Sequence, residues 1–142
     1  MSYHQALLAL HILAIAFSLG IGFTNLINMR VSKGQTGDVA KGLGLHRMAV
    51  RPYGDIFVGL FLVTGILLVV NMGGTAGLNS WFHVKMAAVV ILVLCYIGIR
   101  YTVSQMMKSG NMALMARVKT FAHIAITASV VAVICAVLTF AA

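Results

Sequence analysis

Four long apolar stretches, Ala6–Met29, Gly54–Val70, Ser80–Ile99 and Val118–Ala141, take up most of this 142-residue chain. Each falls in the range of about 17–25 residues that a helix needs to cross a bilayer. Inside hydrocarbon the backbone has no water to bond, so such segments must satisfy their own amides as helices. The expected fold class is therefore all-α: an integral membrane four-helix bundle forming a single transmembrane domain over residues 1–142. At 61% hydrophobic and 8% charged residues, a soluble domain of this size is excluded.

The charges give the chain an orientation. Arg30, Lys33, Lys41, Arg47 and Arg51 lie between the first and second stretches, and Arg100, Lys108 and Arg117 between the third and fourth, with Lys119 at the very start of the fourth. The connection from Asn71 to Ser80 carries no charge. Basic loops stay on the cytoplasmic side, so both basic connections are expected there, with the N and C termini outside. The net charge of +8 then reports topology, and the partner it implies is a lipid bilayer, not nucleic acid. The first stretch runs too long for a signal peptide and begins at His4 and Gln5 without a basic residue. Cys95 and Cys135 lie inside spans, match no Cys-x-x-Cys spacing and read as small packing residues.

Residues Val31 to Leu45 read as a solvated connection, with Gly42 to Arg47 an amphipathic lead-in to the second helix. Pro52 would sit in a first turn or mark a kink. Asn71 to Asn79 forms a small outer loop with Ser80 as N-cap, and Ser109-Gly110-Asn111 breaks the third helix from the fourth.

Polar groups inside a membrane are costly, so their positions carry the functional information. His4, His11, Ser18 and Asn25 recur every seven residues, nearly two helical turns, and form one slowly drifting stripe with Gly22 beside it. Such a stripe is expected to face the bundle interior. Two readings stand: a helix-packing seam with His11 bonded to a neighbour, or a seam in which His11 ligates a metal or haem.

The third helix opens Trp81-Phe82-His83-Val84-Lys85, with Trp81 suited to the outer interface. His83 and Lys85 are about 200° apart around the helix. Lys85 reads either as a lysine reaching the outer headgroups or as a functional group sharing its face with Tyr96. His11 lies about 8–9 Å in from the outer end of its helix and His83 about 5 Å in from the outer end of its own, whereas His123 starts from the inner end. A bis-histidine site thus favours His11 with His83, leaving His46 and His123 as candidates for a second, inner site. Arg47, Arg51 and Asp55 follow at i, i+4 spacing, either an interfacial anchor with an ion pair or guanidinium groups holding carboxylates such as haem propionates. Met106, Met107, Met112 and Met115 crowd the inner turn; soft thioethers bind Cu(I), and they also fill irregular packing.

Three patches, His11-Ile12, Arg47-x-x-x-Arg51-Pro52 and Trp81-x-His83-x-Lys85-Met86, resemble the HemJ-type protoporphyrinogen oxidase family of small membrane proteins. More distantly, the layout is similar to the membrane domains of CopD-like copper proteins. Tyr96 stands where the HemJ family has a further His, and Phe121-Ala122-His123 where it has Asn-Glu-x-Pro. The resemblance implies a haem b cofactor with His11 and His83 (or His11 and Lys85) as axial metal ligands, and Arg47 and Arg51 holding a porphyrin or quinone-like partner. It also implies Lys85 and Arg51 as catalytic residues. The activity it implies is removal of hydrogen from protoporphyrinogen IX, with electrons passed to a membrane carrier in a bacterial inner (cytoplasmic) membrane. The other reading is a non-catalytic accessory subunit of a larger bioenergetic membrane complex; the protein partners expected are a second copy in a homodimer or such a complex. Transport has less support, since no pair of Gly/Pro-broken helices marks a midplane site.

Overall fold

A computed structural model describes residues 1–74 and 79–141, with side chains described through residue 138. Among these residues the chain is all-α. There are four long helices, α1 (Tyr3–Ser32), α2 (Gly37–Asn71), α3 (Ser80–Ser109) and α4 (Met115–Ala141), with a short turn between α1 and α2 and a 3-10 turn at Met112–Leu114 before α4. Each long helix is apolar and long enough to cross a membrane, which makes this a multi-pass membrane protein. The helices form two compact units, each a helical hairpin: α1 with α2, and α3 with α4.

The helices outrun the apolar stretches that announce them. The 30 residues of α1 extend about 45 Å at 1.5 Å per residue, well past the roughly 30 Å of hydrocarbon. The connection expected over Val31 to Leu45 accordingly shrinks to residues 33–36, and α2 starts at Gly37 rather than at an amphipathic lead-in from Gly42. Hydropathy marks where lipid stops, whereas a helix stops only where its backbone is turned. Here Gly34 (φ 80°) and Gly37 (φ 64°) take left-handed conformations that suit glycine. Pro52 therefore sits in the helix interior and not in a first turn, leaving the Met48 carbonyl without the usual amide four residues on.

The helix ends are capped by short polar side chains. Ser2 and Gln5 form a reciprocal capping box at the start of α1, at 2.9 and 3.2 Å. Asn79, not Ser80, caps α3 by accepting from the Phe82 amide at 3.3 Å. Both are eligible cap residues, and the helix begins one residue earlier than expected. Residues 75–78 of the expected outer loop lie outside the described residues. The break at Ser109-Gly110-Asn111 is as expected: α3 ends on Gly110 in the left-handed region (φ 68°), and Asn111 caps the following 3-10 turn. Gly110→Ala is expected to lower stability by about 1 kcal/mol, because a Cβ is strained at that φ. Gly20→Ala, in helix with nothing near its missing Cβ, is expected to raise it by a similar amount. Thermal midpoints of the two variants in detergent should move in opposite directions.

In the second hairpin Ala88, Cys95 and Thr102, each seven residues apart on α3, are buried, as are Ala128 and Cys135 on α4. Both cysteines are thus packed in the hairpin, and the small side chains let the two backbones approach. Gly98 carries this furthest: a Cβ there would lie 3.2 Å from the Phe121 ring. Large apolar residues such as Ile66, Val70, Leu94 and Val137 point outward, where lipid covers them. Within each hairpin the basic residues gather toward the turn, residues 30–51 in the first and 100–119 in the second. Lys85, near the start of α3, is the exception.

Candidate functional site

The polar stripe of α1 is matched by polar residues of α2. At one end His4 Nδ1 lies 3.0 Å from the Asn71 amide nitrogen. Seven residues on, His11 Nδ1 lies 2.8 Å from the Thr64 hydroxyl, seven residues back from Asn71. Near the turn the Asn28 amide nitrogen donates to the Leu43 carbonyl at 3.2 Å and to His46 Nδ1 at 3.1 Å, while Ser32 donates to Asn28 Oδ1. Between these levels Ile21 lies over Gly54, and the Phe17 and Phe57 rings stack at 4.8 Å. An antiparallel register keeps the periods of the two helices in step, so a seven-residue stripe on one finds its partner on the other.

His11 is the best-defined group on this seam. It is 5% exposed, and its partner Thr64 is 2% exposed. The Thr64 hydroxyl lies within donating distance of the Leu60 carbonyl at 2.7 Å, one turn back in α2, and of the Phe61 carbonyl at 3.2 Å. With its proton on either carbonyl, that oxygen accepts from His11 Nδ1–H, and the lone pair then falls on Nε2. Gly65, the residue after Thr64, makes room for the ring: a Cβ there would lie 3.1 Å from His11 Cε1 and 3.7 Å from Nδ1. The Phe61 ring closes the site at 5.5 Å between centroids. Thr64, Gly65 and Phe61 had no functional reading from sequence. One signal pointed to Thr64: it stands seven residues before Asn71, the same period as the α1 stripe.

The other candidates differ in setting. His83 is exposed on α3, edge-on to Phe82 at 6.0 Å, and Lys85 is half-buried on another face of the helix. His46 lies within α2, in the stretch expected as its lead-in, and Asn28 holds its Nδ1. His123 is exposed on α4. Tyr96, half-buried, carries the Arg100 guanidinium over its ring at 5.8 Å. Because α2 is continuous through Pro52, Arg47, Arg51 and Asp55 do share one face. Thirteen residues separate Arg51 from Thr64, about 20 Å along the helix, farther than the side arms of a porphyrin reach from its iron. A carboxylate at Arg47 and Arg51 and an iron at His11 are thus two separate sites, not two ends of one cofactor. Among the described residues no three His, Cys, Asp or Glu side chains converge as a metal cluster.

The fold and seam together define a class: a small helical membrane protein built from two hairpins, the first stitched by intramembrane hydrogen bonds. Comparison with models of known protein families, with curated proteins and with solved structures gives no match.

Proposed function

We propose that this is a redox-linked membrane protein that binds b-type haem through His11, similar to HemJ-type proteins. Its termini lie outside and its basic turns in the cytoplasm of a bacterial inner membrane. The observation that supports it is the setting of His11. A buried imidazole whose Nδ1–H is held by a fixed acceptor keeps its Nε2 lone pair in one direction, as metal-ligating histidines do. The bare flank of Gly65 seats the imidazole ring itself, since a Cβ there would lie 3.1 Å from His11 Cε1.

By the sequence resemblance, His83 of the Trp81-x-His83-x-Lys85 motif, or Lys85, would also help to hold the haem. Bound haem supplies one-electron chemistry whose potential the axial ligands and their hydrogen bonds set. Thr64 fixes the His11 tautomer, and Phe61 keeps water from the ring. Arg47 and Arg51 hold the carboxylates of a porphyrinogen, or a quinone-like carrier, near the cytoplasmic interface. The reaction in this reading removes hydrogen from protoporphyrinogen IX and passes the electrons to that carrier, with Arg51 and Lys85 in contact with the reacting molecules. Protein purified from haem-replete cells is expected to be red, with haem stoichiometric to the chain in a pyridine assay. A colourless preparation from the same cells contradicts the proposal.

One observation favours a second reading. Two residues of the polar stripe, His4 and His11, and Asn28 near it find partners within the first hairpin itself, so the seam also serves a chain that does no chemistry. Such a protein would be an accessory subunit, whose apolar outer faces pack on a larger bioenergetic complex. It would co-purify with that complex without haem of its own.

A further inference from the structure

The two hairpins differ in charge. Residues 1–76 carry Arg30, Lys33, Lys41, Arg47 and Arg51 against Asp38 and Asp55, whereas residues 77–142 carry Lys85, Arg100, Lys108, Arg117 and Lys119 and no Asp or Glu. Three cations of the second hairpin also crowd at one depth. Gly98 meets the Phe121 ring, and α3 and α4 run antiparallel. Arg100, two residues on in α3, therefore stands level with Lys119, two residues back in α4, and Arg117 lies about 3 Å further along. No carboxylate of the same hairpin offsets their mutual repulsion, so this end presents a positive field to whatever lies beside it. An open groove lies at the same level on α4, lined by Ala116, Arg117, Thr120 and Phe121. Arg117 is exposed there. Thr120 donates its proton to the Ala116 carbonyl at 3.0 Å, which leaves the Arg117 guanidinium as the side-chain donor above an apolar wall. Arg117 stands just before the apolar stretch that begins at Val118, and Phe121 is about 6 Å deeper along the helix.

We propose that this groove binds an anionic phospholipid of the leaflet at the basic turns. Its phosphate lies against the Arg117 guanidinium, whose fork of N–H groups matches two phosphate oxygens at once. The first part of an acyl chain runs over the Ala116 and Phe121 side chains, on the hydrocarbon side of the phosphate. Lys119 and Arg100, level with each other beside it, add to the potential that draws the anion. A water-soluble phosphate would gain the contact to Arg117 and none of the contact to the apolar wall, so the ligand this surface fits is a lipid. The site lies in the second hairpin and involves neither His11 nor haem.

The test is native mass spectrometry of the full chain released from detergent micelles that hold dioleoyl phosphatidylglycerol and dioleoyl phosphatidylcholine in equal amounts. The native chain is expected to retain one phosphatidylglycerol, and Arg117→Gln to lower that occupancy about fivefold. Arg117 is exposed on α4, and glutamine is as good a helix former, so this variant keeps the fold. Ala116→Trp fills the groove with every charge in place and should lower the occupancy as well. Lys33→Gln removes the same charge from the turn of the first hairpin and should leave it unchanged. Unchanged occupancy in Arg117→Gln, or retention of the two lipids alike by the native chain, overturns the proposal. Equal losses in Arg117→Gln and Lys33→Gln also overturn it, since net charge and not a site would then hold the lipid. Displacement of the lipid by excess glycerol 3-phosphate overturns it too, because the head alone would suffice.

Discussion

Gly65→Leu should destabilise the protein by about 3 kcal/mol or more, while Gly59→Leu, six residues earlier in the same helix, should leave it unchanged or slightly more stable. Both replace a helical glycine with a strong helix former, and propensity alone predicts a gain of up to about 1 kcal/mol for each. What differs is the neighbourhood. Nothing lies within 4 Å of a Cβ built on Gly59, whereas one on Gly65 meets the His11 ring at 3.1 Å. Helix pairing in lipid relies on close contact, not on burial from water, so pushing α1 away from α2 forfeits contacts along the seam. It also pulls His11 from Thr64. Unfolding midpoints in mild detergent titrated with a denaturing one give the comparison. Similar losses at both glycines would mean that α1 and α2 do not approach as described.

The second large effect is an asymmetry within the His11–Thr64 pair. Thr64→Val keeps the side-chain shape but removes the acceptor, stranding the His11 Nδ1–H in a dry interior at a cost of about 1–3 kcal/mol. His11→Leu removes the ring, yet the Thr64 hydroxyl keeps its bond to the Leu60 carbonyl at 2.7 Å. Only the net worth of one interhelical hydrogen bond is then lost, about 0.6 kcal/mol on average in membranes. A double-mutant cycle on the same detergent assay should therefore show Thr64→Val as the costlier single change, with His11→Leu rescuing part of its loss. If haem is held at His11, Thr64→Val should also weaken its retention about 10–100-fold, since that hydrogen bond orients the ligand. Equal costs for the two single changes would place the ring proton on the other nitrogen.

Much of this was legible in the chain. Four apolar stretches imply four helices, and the seven-residue spacing from His4 to Asn25 marks the face of α1 that meets a neighbour. The limits of each helix were not legible, because hydropathy reports the lipid and not the turn. Gly34 and Gly37 end and restart the helix well inside what reads as a polar loop. The partners of the stripe were hidden for a different reason. Thr64 and Gly65 look like ordinary filler in an apolar run, and only the register set by the tight turn between α1 and α2 brings them against His11. His46 was legible as part of the lead-in to α2, but its partner Asn28 was not, because that pairing too depends on the register of the turn. Asn79 and Ser80 were equally good caps on paper, and a one-residue shift in the start of α3 decided between them.

The most direct measurement is a reduced-minus-oxidised absorption spectrum of the purified protein from haem-replete cells, beside His11→Ala and His123→Ala. The account predicts a b-type α-band in the native chain that persists in His123→Ala, whose ring is exposed on α4, and disappears in His11→Ala. A band that survives His11→Ala would place any haem elsewhere. No band in the native chain would leave His11 as a structural partner of Thr64 and the protein as a subunit without a cofactor of its own.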